Sequence, residues 1–105
     1  MDAESYIRSH LDEIKQYLRI DGDDDDAIVI RCALSSYRYI EDSVGEFDPD
    51  QPTAVMLLYA IAQDLYDNRE LMQSEQQVKK RQEYTYQSII LQLKMKYELK
   101  QEAGA

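Results

Sequence analysis

The sequence predicts an all-α protein, a small bundle of about four helices with a buried central helix at about 52–70 and a long C-terminal helix at about 77–101. Three observations predict it. Apolar residues recur at helical spacing along each long segment. Only three Gly and two Pro occur in 105 residues, and they fall between the segments: Gly22 in one break, Gly45, Pro49 and Pro52 in a second, Gly104 at the tail. Hydrophobic residues make up 44% of the chain, too many for a disordered segment despite the acidity. This length allows one domain, taken as residues 1–105 with a loose tail at 98–105.

The first segment, about residues 3–19, places Ile7, Leu11, Ile14 and Leu18 on one narrow stripe of an otherwise charged helix. The acidic run Asp21-Gly22-Asp23-Asp24-Asp25-Asp26 follows. Carboxylates at a helix start accept bonds from unpaired N–H groups and suit the positive end of the dipole. Asp23 and Asp26 therefore form a cap-like pair for a helix at about 24–43, whose stripe is Ala27, Ile30, Leu34, Tyr37 and Val44. In the third segment the run from Ala54 to Ala62 leaves no polar face over more than two turns. A helix apolar all round is one surrounded by others, which makes this the central helix. Its end turns polar at Asp67-Asn68-Arg69-Glu70.

The last segment has two apolar faces. Tyr86, Ile89, Ile90, Leu93 and Tyr97 cluster on one side, while Tyr84, Leu91, Met95 and Leu99 cluster on the other. Lys94 falls on one flank between them, Lys96 and Lys100 on the opposite side. One face can pack on the domain's own core. The second needs something else to cover it. A break between this helix and the third is placed within residues 69–77, because an unbroken helix from residue 53 to 103 is too long for a globular domain.

Charge and composition narrow the function. The chain carries 12 basic and 21 acidic side chains, a net charge of −9. Residues 1–77 hold a net −12 and residues 78–105 a net +3. An acidic body is repelled by nucleic-acid phosphates, and Lys79-Lys80-Arg81 reads as a solvated or ion-pairing face. The longest apolar run is about half of what a bilayer span needs, and the N-terminus has no apolar secretory region. A soluble chain in a reducing compartment is the expectation, with no membrane partner.

No residue constellation for catalysis or metal binding is visible. An EF-hand loop beginning at Asp21 would want Gly at its sixth position and Glu at its twelfth, where this chain has Asp26 and Cys32. His10 is the one histidine and Cys32 the one cysteine, so neither a zinc site nor a Cys-His nucleophile can be built within the chain. Cys32 lies beside the second stripe as a buried structural thiol. The three glycines are isolated and form no phosphate loop. The reading is no enzyme, no cofactor and no metal. Nine tyrosines without a tryptophan is a bias split between core packing, as for Tyr59 and Tyr66, and interface anchoring.

Several pieces together resemble a known family. Leu18-Arg19-Ile20-Asp21-Gly22-Asp23-Asp24-Asp25-Asp26 leads into a helix that contains Tyr37-Arg38-Tyr39-Ile40-Glu41. The apolar helix from Ala54 then runs into Leu65-Tyr66-Asp67-Asn68-Arg69-Glu70, and Ser88-Ile89-Ile90-Leu91-Gln92-Leu93 follows. In this order and spacing the chain resembles the head-tail connector (adaptor) proteins of tailed phages and prophages, over about residues 11–97. Leu65-Tyr66 stands where the family usually has an aromatic–Tyr pair, and Asp67 where Glu is commoner.

The resemblance implies a small all-α virion subunit, made in the bacterial host cytoplasm and located at the head-tail junction. It implies a homo-oligomeric ring beneath the portal protein that extends the DNA channel after packaging and docks a stopper or tail-completion protein. Double-stranded DNA would pass through without sequence-specific binding, and an acidic lumen would keep it from sticking. A ring needs two different patches per subunit, and the acidic body and basic final helix would supply them. Tyr84, Leu91, Met95 and Leu99, flanked by Lys94 and Lys96, are the expected subunit or portal contact. In the helix-end motif of Tyr66, Asn68, Arg69 and Glu70, Arg69 either caps its own helix and pairs with an acid of a neighbouring helix, or reaches across a subunit boundary. The alternative function is a small acidic helical module that sequesters a basic partner or mimics DNA.

Overall fold

The computed structural model describes residues 2–69 and 75–104, with side chains described for 2–69 and 86–104. The chain is all-α. Five helices follow in order, α1 (Ala3–Ser9), α2 (Leu11–Leu18), α3 (Asp26–Val44), α4 (Pro52–Asp67) and α5 (Glu75–Gly104), and no strand occurs among the described residues.

The fifth helix arises because the segment predicted as one helix over 3–19 breaks at His10, where φ is −110° and ψ 14°. Side chains crowd one carbonyl at the break. Ser9 Oγ and His10 Nδ1 each lie 2.9 Å from the Tyr6 carbonyl oxygen, and such side-chain bonds draw backbone groups out of a regular helix. The His10 ring also stacks on Tyr6 at 4.2 Å between centroids. Despite the break, Ile7, Ile14 and Leu18 are all buried, with Leu11 half-buried. Tyr6 joins them, its ring against Tyr37 and Phe47.

α2 ends on Arg19 in the left-handed region, with φ 61°. The N–H groups of Arg19 and Ile20 there donate to the Gln16 and Lys15 carbonyls, the paired bonding that closes many helices. α3 ends on Gly45 at φ 114°. Pro52 opens α4, where a missing N–H costs nothing.

The helix that touches all four others is α3, not α4; α4 packs on α2, α3 and α5. The α3–α4 seam contains the fully buried Ser36, whose hydroxyl donates to the Leu58 carbonyl at 2.8 Å. α4 buries Leu57, Leu58 and Ile61 almost completely, yet Met56 is 53% exposed. The apolar run therefore does face outward on one strip. At about 100° per residue Met56 shares that strip with Pro52, Gln63 and Asp67.

α5 is bent at Tyr86, whose φ of −117° and ψ of 18° are non-helical. Beyond the bend Leu93 is buried, and Tyr86, Ile89, Ile90 and Tyr97 pack half-buried against the core. The tail expected from residue 98 continues α5 as helix to Gly104. Lys100 ties this end to the loop after α3, with Nζ 2.6 Å from Glu46 Oε2 and 3.3 Å from Asp48 Oδ2. The break expected within 69–77 falls between Asp67 and Glu75, and residues 70–74 lie outside the described residues.

Candidate functional site

The outward side of α5 carries the sequence-predicted contact residues. Leu91, Met95 and Leu99 stand at successive turns and are 56%, 55% and 63% exposed. Lys94 and Lys96 are exposed on either flank. The side chain of Tyr84 lies outside the described residues, as do those of Lys79, Lys80 and Arg81. The opposite side of the same helix is the buried one, so from Tyr86 onward α5 divides into a face that finishes the core and a face that meets solvent. Leaving three large apolar side chains in line on one surface marks a place where another surface docks.

A second exposed group lies on the α2–α4 face, and the sequence reading missed it. Tyr17 is 42% exposed and Met56 53%. The Tyr17 ring packs against Tyr59 at 5.6 Å between centroids, and Met56 stands one turn before Tyr59 on α4. The Tyr59 hydroxyl donates to Glu13 Oε2 at 3.1 Å, which fixes a carboxylate at the edge of the patch. Burial and that bond push the Tyr59 hydroxyl up to about 12. The available signal was an aromatic residue off the Ile7–Leu18 stripe, together with the polar strip-mates of Met56.

The acidic run does not cap α3 as predicted. The cap position is Asp25, and no carboxylate bonds to the helix N–H groups there. Asp23 and Asp26 instead both face Lys15 of α2, whose Nζ is 3.1 Å from Asp23 Oδ1 and 2.7 Å from Asp26 Oδ1. These bonds, Asp26 first, raise the Lys15 ammonium above the ordinary lysine range. Asp25 accepts the hydroxyl of Tyr66 from α4, and that bond holds the Tyr66 phenol above the ordinary tyrosine range. The lysine ammonium and the tyrosine hydroxyl both make charge-assisted bonds with these carboxylates. The turn thus becomes a polar clasp between α2, α3 and α4, while Asp26 still sits in the first turn of α3, where the dipole favours it.

At the end of α4, Arg69 donates to the Tyr66 carbonyl at 2.6 Å, and its guanidinium lies 4.4 Å from the centroid of the Tyr66 ring. The Asn68 amide bonds both the carbonyl and the carboxylate of Asp64 at 3.0 Å. Arg69 and Asn68 therefore satisfy carbonyls at their own helix end. Glu70 lies outside the described residues.

Neither remaining feature offers a reactive centre. Cys32 is buried, and that burial pushes its thiol up, away from the nucleophilic thiolate. A small pocket between α3, the following loop and α5 is lined by Val44, Glu46, Asp48, Leu93, Lys96 and Tyr97, among others. It adjoins the Lys100 tie, and it is the gap left where α5 bridges the loop. No group of three or more His, Cys, Asp or Glu side chains placed to hold a metal occurs among the described residues. No helix of the described residues is long and apolar enough to cross a membrane.

What the described side chains present is two exposed apolar groups, one on α5 and one on the α2–α4 face. Comparison with known proteins gives the family. The family model of the phage gp6-like head-tail connector protein matches residues 8–94. No curated protein and no solved structure matches the chain. The matched span takes in α2, α3, α4 and α5 through Leu93 and Lys94, so it includes the acidic clasp, the Tyr66–Arg69 helix end and the beginning of the exposed α5 stripe. The chain belongs to the phage gp6-like head-tail connector family, a family of structural phage proteins.

Proposed function

We propose that this chain assembles into a ring that joins the portal of the phage head to the tail or stopper proteins and extends the DNA channel after packaging. It acts in the virion, having been made in the bacterial host cytoplasm, and it works by contact, without catalysis or cofactor. The observation that carries the reading is the exposed line of Leu91, Met95 and Leu99 on a helix whose other side completes the core. Among the described residues, nothing within one copy covers that line. A ring subunit needs two unlike patches that meet head to tail, and the acidic body and the basic last segment differ in sign, −12 against +3. Tyr84 and the flanking Lys94 and Lys96 belong to the same contact. DNA passes through the ring without sequence-specific readout.

The test is Leu91→Asp combined with Met95→Asp. Both side chains are exposed, so the double variant should keep its helix content and melting temperature. It should no longer form rings at raised protein concentration or dock on a portal ring, as seen by electron microscopy. A double variant that still joins the portal normally overturns the reading. A wild-type chain that stays small at every concentration and competes with DNA for a basic partner favours a DNA-mimicking module instead.

A further inference from the structure

Five large apolar side chains are exposed among the described residues, and they fall into two groups. Leu91, Met95 and Leu99 lie on α5, while Tyr17 and Met56 lie on the α2–α4 face. Among the described residues, α2 and α5 do not touch. On α4, Ala54 meets α5 across the small pocket, and Met56 is two residues further, roughly 200° around the helix. The groups therefore look away from each other.

We propose that they are the two halves of one subunit contact, in which the outer stripe of α5 in one copy seats on the Tyr17–Met56 patch of the next. This rests on the ring reading and specifies the contact within it. The occupant is a second copy because the charges match. The Tyr17–Met56 patch is edged by Glu13, held in place by Tyr59, on a body of net −12. The α5 stripe is flanked by Lys94 and Lys96, which are exposed and have no ion-pair partner among the described residues, on a segment of net +3. Glu98 and Glu102 share the outer side of α5, so the attraction comes from the flanks while the three apolar residues supply the buried area. A symmetrical contact between two α5 stripes would cover one apolar group and leave Tyr17 and Met56 bare. A head-to-tail contact covers both, and repeats.

Site-directed crosslinking tests it. In a Cys32→Ala background, Met56→Cys and Met95→Cys are made separately and treated with a short bis-maleimide, alone and mixed. The mixture should give a crosslinked dimer, and each variant alone at least tenfold less. Met95→Cys crosslinking to itself as well as the mixture does would mean a symmetrical α5 contact and overturn the proposal. Should the background variant fold poorly, Met56→Asp in the otherwise natural chain reads the same patch. It should weaken self-association in sedimentation at least tenfold with unchanged helix content, and association like that of the wild type refutes the patch. Wild-type rings without the mixed crosslink remove this contact and leave the ring reading standing. A wild type that remains monomeric even on a portal removes both.

Discussion

The ring of Tyr97 occupies the space that a β-carbon on Gly45 would need, with Cε2 2.5 Å and Cδ2 2.8 Å from that position. Gly45 also sits at φ 114°, a region open to glycine and strained for other residues. One residue thus ends α3 and seats the last helix.

Gly45→Ala should therefore destabilise the protein by about 1–3 kcal/mol, from backbone strain and overpacking together. Denaturant unfolding measures it. In a Tyr97→Ala background the steric part disappears and the cost of Gly45→Ala should fall. An equal cost in both backgrounds would show that the ring contact is immaterial.

Ser36→Ala should cost about 1 kcal/mol, the net worth of the buried bond to the Leu58 carbonyl. Ser36→Val should cost more, because it loses the same bond and adds a methyl group at a fully buried position. Equilibrium unfolding of the two variants gives the order.

Tyr59 makes stability fall in alkali. Its hydroxyl titrates near 10 when unfolded and is pushed up to about 12 in the folded chain. Between those values the unfolded state has released the proton that the folded state still holds, so stability is complete below pH 10 and declines as pH rises toward 12. Comparing Tyr59→Phe with the wild type from pH 9 to 12 isolates this part, since the two chains differ only at Tyr59. The variant should start slightly less stable, having lost the Glu13 bond, and decline less steeply.

Lys100→Met should speed amide hydrogen exchange in residues 98–104 while leaving the global melting temperature nearly unchanged. The pair with Glu46 and Asp48 is half-exposed, so high salt should loosen the same turns in the wild type. The bond to Glu46, then that to Asp48, raises the ammonium above the ordinary lysine value of 10.5. The tie is therefore complete below pH 10.5 and fades as pH climbs through the higher folded value. Exchange rates that ignore both salt and the substitution would show that the tie does not hold the end of α5.

The all-α class and the two faces of α5 were legible because they depend on periodicity within one segment, and Leu93 and Leu91 fall on opposite sides by spacing alone. The break at His10 was hidden for the same reason. Ile7, Leu11, Ile14 and Leu18 keep their spacing across it, and a carbonyl crowded by Ser9 and His10 leaves no periodic trace. Phe47 is buried from a loop, where no period exists to mark it. Asp23 and Asp26 read as a cap because Lys15 and Tyr66, which claim the acids of that turn, come from other helices. The outward strip of Met56 depends on how many neighbours surround α4, a property of the assembled bundle. The sequence hint was the pair of polar residues, Gln63 and Asp67, in line with it.

Because every other helix leans on α3, that helix works as the keystone of a small arch. Pull it out and the remaining stones share only thin seams, so the molecule comes down at once, in a single cooperative melt. Grafting or shortening is accordingly safest at the outer surfaces and most damaging between residues 26 and 44.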